Sequence, residues 1–354
     1  MRTYITVFFL LFTTALQAQI GGERVFSFIN LPSSSRASAA GGSLITVVDD
    51  DPGLAFQNPS LLNASMHNRF HASSVVFYSG INYGNFNYVR HYAGLGTFQT
   101  GLQYIAYGKF IQTDITGKAS GEFRASEYSL NAGGAYTLGT YYTLGANLKF
   151  MLSQLESYYS FGAAVDFAAS FYHPEKNITA TLVIKNAGLQ FKPYYGRHRE
   201  PLPFEIQAGF SVRFKHLPFR LSITLHDLQN FQLRYDNPEN ENSNVFFGAD
   251  TVQQRTTAGE VFDEIFRHFI IAGEVYIKKK VVILGFAYNH QRRQEMKTES
   301  KKGLAGFSVG IKINIRQFAF GYAPEWYHFT GPVHHISVGV SFNELIKKKP
   351  ATSE

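Results

Sequence analysis

The sequence predicts an all-β protein folded as a single transmembrane antiparallel β-barrel of about 14 strands. Three observations carry this expectation. Strict apolar/polar alternation recurs along most of the chain, its runs reach about nine to twelve residues where soluble strands use five or six, and tight and long connections alternate between them. The composition agrees: 33 Phe, 21 Tyr and one Trp bring aromatics to 16% against 17% charged residues, too apolar a balance for a disordered chain. Beyond the first residues, no stretch offers the roughly 18 uninterrupted apolar residues that a membrane helix needs.

Residues 1–18 read as a cleaved signal peptide. Arg2 precedes an apolar run from Tyr4 to Leu16, and Leu16-Gln17-Ala18-Gln19 supplies a small-residue cut after Ala18. Residues 19–70 lack alternation, are rich in Ser, Ala and Gly, and turn at Pro32, Pro52 and Pro59. Phe26, Phe28, Ile29, Leu54 and Phe56 need burial, so this segment is expected to fold into the barrel mouth as a plug; a loosely packed periplasmic extension is the other reading. Residues 71–343 form the barrel and 344–354 a periplasmic tail.

The alternation is clearest where Leu144, Ala146, Leu148 and Phe150 share one parity and Thr143, Gly145, Asn147 and Lys149 the other. It returns with Ala208, Phe210, Val212 and Phe214 against Gln207, Gly209, Ser211, Arg213 and Lys215, and with Phe219, Leu221, Ile223 and Leu225 against Arg220, Ser222, Thr224 and His226. Near the end, Phe307, Val309, Ile311, Ile313 and Ile315 oppose Ser308, Gly310, Lys312 and Asn314, and Ile336, Val338, Val340 and Phe342 oppose Ser337, Gly339 and Ser341. Strands are expected at 71–80, 83–92, 95–110, 123–138, 141–154, 157–173, 177–187, 203–216, 218–228, 268–278, 280–290, 303–315, 317–327 and 333–343. Closure is what lets such strands lie in lipid with every backbone group paired. Tight turns fall at 93–94, 139–140, 173–176, Leu217, Lys279 and Arg316; the long connections are 111–122, 188–202, 229–267, 291–302 and 328–332. Barrels of this class keep short turns in the periplasm, so both termini are expected there and the long loops outside.

Within the plug, Phe26 to Leu31 leads into Pro32-Ser33-Ser34-Ser35-Arg36-Ala37, then Ala40-Gly41-Gly42, Asp49-Asp50-Asp51 and Asn58-Pro59-Ser60. This stretch resembles the start of the PorQ family of type IX secretion system barrels, which belongs with PorV and the FadL fatty-acid channels among fourteen-stranded outer membrane barrels. The Asn-Pro-small element is similar to the FadL hatch motif, with Ser60 where Ala is usual, whereas Ser33-Ser34-Ser35-Arg36 departs from the Pro-Asp-Ala-Arg of PorV. The plug motif thus comprises Pro32, Arg36, Gly41, Gly42, Asp50, Asn58 and Pro59. The resemblance implies a non-enzymatic outer membrane component that anchors a PorZ-like surface protein, working with a PorU-like sortase and a PorV-like barrel to attach secreted cargo. The alternative it leaves open is a FadL-like channel for hydrophobic small molecules.

Other patterns carry little chemistry. Gly306-Phe307-Ser308-Val309-Gly310 matches the nucleophile elbow, but that motif needs a strand-to-helix turn and Ser308 falls mid-strand. His334-His335 and the pair His67 and His71 lack companions for a metal set, since neighbours on a strand face opposite ways. Asp49-Asp50-Asp51 reads as a solvated turn rather than a calcium loop. No cofactor, metal or catalytic residue is expected. The formal charge of +7 sits in turns, tail and the polar strand parity, which argues against nucleic acid as partner and leaves lipopolysaccharide phosphates as the anions it would attract. In and just after the longest loop Val261, Phe262, Ile265, Phe266 and Phe269 recur at helical spacing, predicting a rim helix that either docks a partner or caps the mouth with its apolar face. Tyr194, Tyr195, Arg197, Arg199, Tyr235 and Phe246 are the candidate docking residues of the long loops, being types enriched at binding hot spots; as the other reading, the aromatics belong to the interfacial girdle.

Overall fold

The computed structural model describes residues 24–234, 258–278, 280–296, 303–328 and 331–343. The expected signal peptide at 1–18 and tail at 344–354, and Tyr235 and Phe246, lie outside the described residues. Fourteen strands follow one another: β1 (Arg69–Val76), β2 (Asn82–Tyr92), β3 (Gly96–Thr113), β4 (Ala119–Leu138), β5 (Tyr142–Leu155), β6 (Tyr158–His173), β7 (Ile178–Lys192), β8 (Glu205–Arg213), β9 (Phe219–Leu225), β10 (Phe269–Ile277), β11 (Val282–Asn289), β12 (Phe307–Ile315), β13 (Phe318–His328) and β14 (Gly331–Ser341). Each pairs antiparallel with its neighbours in sequence, and β1 closes the ring on β14, with Arg69 opposite Ser341 and Val76 opposite His334. No described helix is long and apolar enough to cross a membrane.

Every strand expected from the alternation is present, but the strand ends differ, most tellingly at three places. β3 and β4 run on as a long hairpin, so the loop expected at 111–122 shrinks to a turn around Asp114, whose Oδ1 accepts hydrogen bonds from the backbone N–H groups of Thr116 and Lys118 at 2.8 and 3.0 Å. β7 continues to Lys192, taking the first residues of the loop expected at 188–202. β1 begins at Arg69, so the segment before the barrel ends at residue 68 rather than 70.

The alternation sorts side chains between two environments. Along β5, Leu144, Leu148 and Phe150 are 50, 39 and 53% exposed, whereas Asn147 and Lys149 are 1% exposed. A soluble sheet would bury the apolar set; here the polar set is buried and the apolar set faces out, as lipid requires. Ring pairs band the outer surface at both ends. Tyr92 with Phe98 (6.1 Å between centroids), Tyr142 with Phe171 (5.4 Å) and Phe214 with Phe219 (6.0 Å) lie beside the tight turns. Phe110 with Phe123 (5.2 Å) and Tyr288 with Phe307 (5.0 Å) lie beside the long loops. Amphipathic rings favour the two membrane–water borders.

Residues 24–68 fill the lumen. A five-residue helix, α1 (Ser35–Ala39), packs against β11 to β14, while the 3₁₀ turn Pro59–Leu61 packs against β4 to β6 on the opposite wall. Glycines in the wall make room. A Cβ on Gly145 would stand 2.4 Å from the Ser60 nitrogen, and one on Gly310 2.6 Å from the Ala39 Cβ. Two helices decorate the long-loop end, α2 (Ala258–Arg267) and α3 (His290–Met296).

Candidate functional site: the plug and the long-loop rim

The plug motif builds its own turns. Ser34 Oγ caps α1 by accepting from the Ala37 N–H at 3.1 Å, and Gly41 and Gly42, with φ of +82 and +100°, end it in the left-handed region that a glycine enters without strain. Asn58 Oδ1 accepts from the Ser60 N–H at 2.9 Å, with Pro59 at the first helical position, where its missing N–H leaves nothing unpaired. Asn58 Nδ2 donates to the Ile45 carbonyl at 2.6 Å, and the Ser60 hydroxyl meets that of Ser170 on β6 at 2.5 Å. Pro32 is buried beside α1. The Asn-Pro-Ser element thus ties two plug turns to each other and to the wall.

Three buried charge groups clamp plug to barrel. In the first, Arg36 makes a two-pronged contact with Glu274 on β10, Nε to Oε1 at 2.6 Å and Nη2 to Oε2 at 3.1 Å, while its Nη1 reaches Asp49 at 2.7 Å and Asp51 at 3.3 Å. Lys312 Nζ on β12 donates to Asp51 Oδ2 at 2.6 Å. Burial alone would raise the Asp51 carboxyl, but Lys312 and Arg36 outweigh it and hold the group well below the usual carboxylate range. Burial likewise works against the Arg36 charge, and Asp49 and Glu274 keep it firmly protonated. The expected solvated Asp turn is therefore corrected: Asp49 and Asp51 are buried ion-pair partners, and only Asp50 reaches partly into solvent, pairing with Arg69 at 2.8 Å. In the second group, Glu325 on β13 takes Ser38 from α1, Arg292 from α3 and, at 3.3 Å, His335 from β14. In the third, Lys149 and Asp166 pair at 2.7 Å between β5 and β6, and Asn186 joins Lys149 at 2.7 Å and the plug residue Asn30 at 2.7 Å.

Above these clamps lies an apolar layer. Val25, Phe26, Phe28 and Ile29 pack on Val75, Tyr83, Ile105 and Met151 of the wall and on Leu202 of the loop after β7. The space between the plug and β11, β12 and β1 at the tight-turn end is of another kind, a 480 Å³ cavity lined by Arg36, Asp49, Asp50, Arg69, Lys280 and Lys312 among others.

The loop after β7 is only partly free. Tyr194 is half-buried, donates to Ser153 Oγ at 2.5 Å and packs on the apolar layer, so it serves the plug rather than an open surface. Tyr195, Arg197 and Arg199 are exposed at the tip. Ser308 is buried on β12, as the strand reading requires, and His334 and His335 do point to opposite faces. His71 and His67 diverge as well: His71 is buried beside the plug, and His67 Nδ1 accepts the His91 N–H at 3.1 Å.

The rim also gathers a set that the sequence did not signal. Glu205 at the start of β8 and His226-Asp227 after β9 bring one ligand atom each within 4.8 Å of one another. His226 Nδ1 stands 3.0 Å from Asp227 Oδ2, and Glu205 is already engaged by Lys185 at 3.3 Å and Gln207 at 2.6 Å. These are donors a divalent cation accepts, but Lys185 supplies the positive charge Glu205 needs. The pairing of β8 with β9, Ala208 opposite Leu225, and the Leu228 N–H to Ile206 carbonyl bond of 3.1 Å bring the two segments together.

No protein-family model matches the chain, and no curated protein matches it. Among solved structures, the monoaromatic hydrocarbon channel CymD superposes with a TM-score of 0.50 at 10% identity, covering 90% of this chain and 99% of that one. The Pseudomonas putida toluene transporter TodX gives 0.47 at 9% identity (87% and 96%), and a Pseudomonas aeruginosa FadL homologue 0.45 at 11% (88% and 98%). Identities this low speak to fold alone. What the chain shares with CymD is its architecture, a closed antiparallel β-barrel, here of fourteen strands.

Proposed function

We propose that the chain is a plugged outer membrane anchor of the PorQ type, which holds a PorZ-like surface protein for a cargo attachment complex that also contains a PorU-like sortase and a PorV-like barrel. One observation supports an anchor over an open channel. The apolar interior that a hydrophobic ligand would occupy is filled by the chain's own Val25, Phe26, Phe28 and Ile29, and the cavity beside the plug is lined by charged groups. Burying an apolar molecule among ion-paired carboxylates and ammonium groups would desolvate charge without replacing its hydrogen bonds. The periplasmic termini and extracellular long loops belong to the same proposal.

The exposed tip Tyr195–Arg199 is the docking element, and its base is already ordered by Tyr194 and by the Val25 N–H to Pro201 carbonyl bond of 3.1 Å, which lowers the entropy lost on docking. Replacing residues 195–199 by a Gly-Ser segment of equal length is expected to leave the barrel folded, as judged by heat-modifiable gel migration, and to release the surface partner into the medium. Retention of the partner on cells carrying the replaced tip would place docking elsewhere. The second reading, a channel for hydrophobic small molecules, draws on the likeness to CymD. Purification from native membranes separates the two: a large exported protein co-isolates with an anchor, and bound lipid or hydrocarbon without a partner marks a channel.

A further inference from the structure

The rim helix α2 is turned opposite to what its amphipathic pattern leads one to expect at a barrel mouth. Its polar residues face the barrel. Asp263 meets His290 Nε2 of α3 at 3.0 Å and Arg267 Nε at 2.8 Å, and Glu264 accepts from the Leu233 backbone N–H. Its apolar residues face outward: Phe262 is 63% exposed and Val261, Ile265 and Phe266 each 40 to 46%. The sequence expectation of a cap seated by its apolar face is corrected on that point.

Such a helix standing in water would leave four large apolar side chains solvated while turning Asp263 and Glu264 inward to partners of their own chain. The arrangement fits if the outer side is lipid. Phe266 lies 5.7 Å, ring to ring, from Phe269, which opens β10 on the same parity as the lipid-facing Ile271 and Ile277. It also lies 6.1 Å from His290, whose ring is next to Tyr288, and Tyr288 packs on Phe307 at 5.0 Å. The apolar face of α2 is thus continuous with the aromatic band at the long-loop end. We propose that α2 is an interfacial anchor whose Val261, Phe262, Ile265 and Phe266 lie among the acyl chains of the leaflet at that end. Amphipathic helices bind membranes by sinking one face about 5–10 Å below the headgroups. Most have basic polar faces that meet the headgroups; here Asp263 is paired with Arg267 and hydrogen-bonded to His290 within the chain, which leaves the apolar face for lipid. The proposal rests on the membrane barrel and is independent of whether the chain anchors a partner or conducts a ligand.

The chain contains no cysteine, so a single introduced thiol reports one position. Phe262→Cys and, as a second reporter, Ile265→Cys in the full-length protein are labelled with an environment-sensitive fluorophore and reconstituted in phosphatidylcholine vesicles carrying nitroxides on the acyl chains. Leu284→Cys on the lipid parity of β11 and Tyr195→Cys at the loop tip are the lipid and water references. Lipid nitroxide is expected to quench the label at 262 and 265 to within about twofold of that at 284, with aqueous iodide reaching only 195, as for a helix sunk below the headgroups. Labels at 262 and 265 that behave like 195 overturn the proposal. So do labels shielded from both quenchers, because a second copy or another part of the chain would then cover the face.

Discussion

Arg36 shows how far one residue can be read before its partners are known. The resemblance marks it together with an acidic triplet, but the triplet splits: Asp49 and Asp51 hold the guanidinium and Asp50 does not. The main partner, Glu274, lies 238 residues further on, and no local pattern announces it. Removing one side of a buried ion pair leaves an uncompensated charge, which typically costs about 3–5 kcal/mol. Arg36→Met and Glu274→Leu are each expected to lower stability on that scale, and the double variant by clearly less than their sum, because Glu274 is no longer left without its guanidinium and only Asp49 still loses its partner. Urea denaturation of the reconstituted barrel measures this; strictly additive losses would mean that the two groups do not form one unit.

At the scale of the element, alternation was enough to find all fourteen strands, since a period of two needs only the local order of apolar and polar residues. It did not fix strand ends. At the tip of the β3–β4 hairpin both faces meet water, so Ile111 to Glu122 carries no contrast to read, although its backbone stays paired. Periodicity also showed that α2 has two faces without saying which one meets the barrel; Asp263 and His290 decide that, 27 residues apart. The two strand faces tolerate change differently. Leu148, midway along β5 and opposite Ala132 and Val165, points to lipid, and Leu148→Arg is expected to destabilise the barrel by about 2–4 kcal/mol. A lumen position is not harmless by default: Asn147 accepts from Gln99 at 2.7 Å and donates to the plug carbonyl of Ala55 at 3.4 Å, so Asn147→Asp would lose a donor and bury a charge. Thr181 is the better control, because its buried Oγ1 has no hydrogen-bond partner and Thr181→Val removes an unsatisfied group at nearly constant volume. Near-neutral behaviour of Thr181→Val beside a disabled Leu148→Arg, in refolding yield and urea midpoint, is the expected pair of results; equal tolerance at both sites would overturn the assignment of faces.

For the whole molecule, the decisive relation is between a wall of fourteen strands and what fills it. Barrels of about eight strands close on their own side chains, while those of sixteen to eighteen leave an aqueous channel, so fourteen strands enclose more space than the wall can fill. Residues 24–68 occupy that space from wall to wall, against β11 to β14 on one side and β4 to β6 on the other, without adding a strand to the ring. Deleting 24–68 leaves β1 intact from Arg69, so strand pairing and insertion are expected to survive. The loss falls on the apolar layer around Phe26, Phe28 and Ile29 and on the charge clamps, whose wall members Glu274, Lys312 and Asn186 would then meet water instead of the plug. Rehydration offsets much of the desolvation that those groups bear in the intact protein, so the shortened barrel is expected to melt at a lower temperature while still running as a folded band on heat-modifiable gels. In planar bilayers it should conduct ions steadily where the intact protein stays closed. Equal conductance of the two forms would show that residues 24–68 do not seal the lumen.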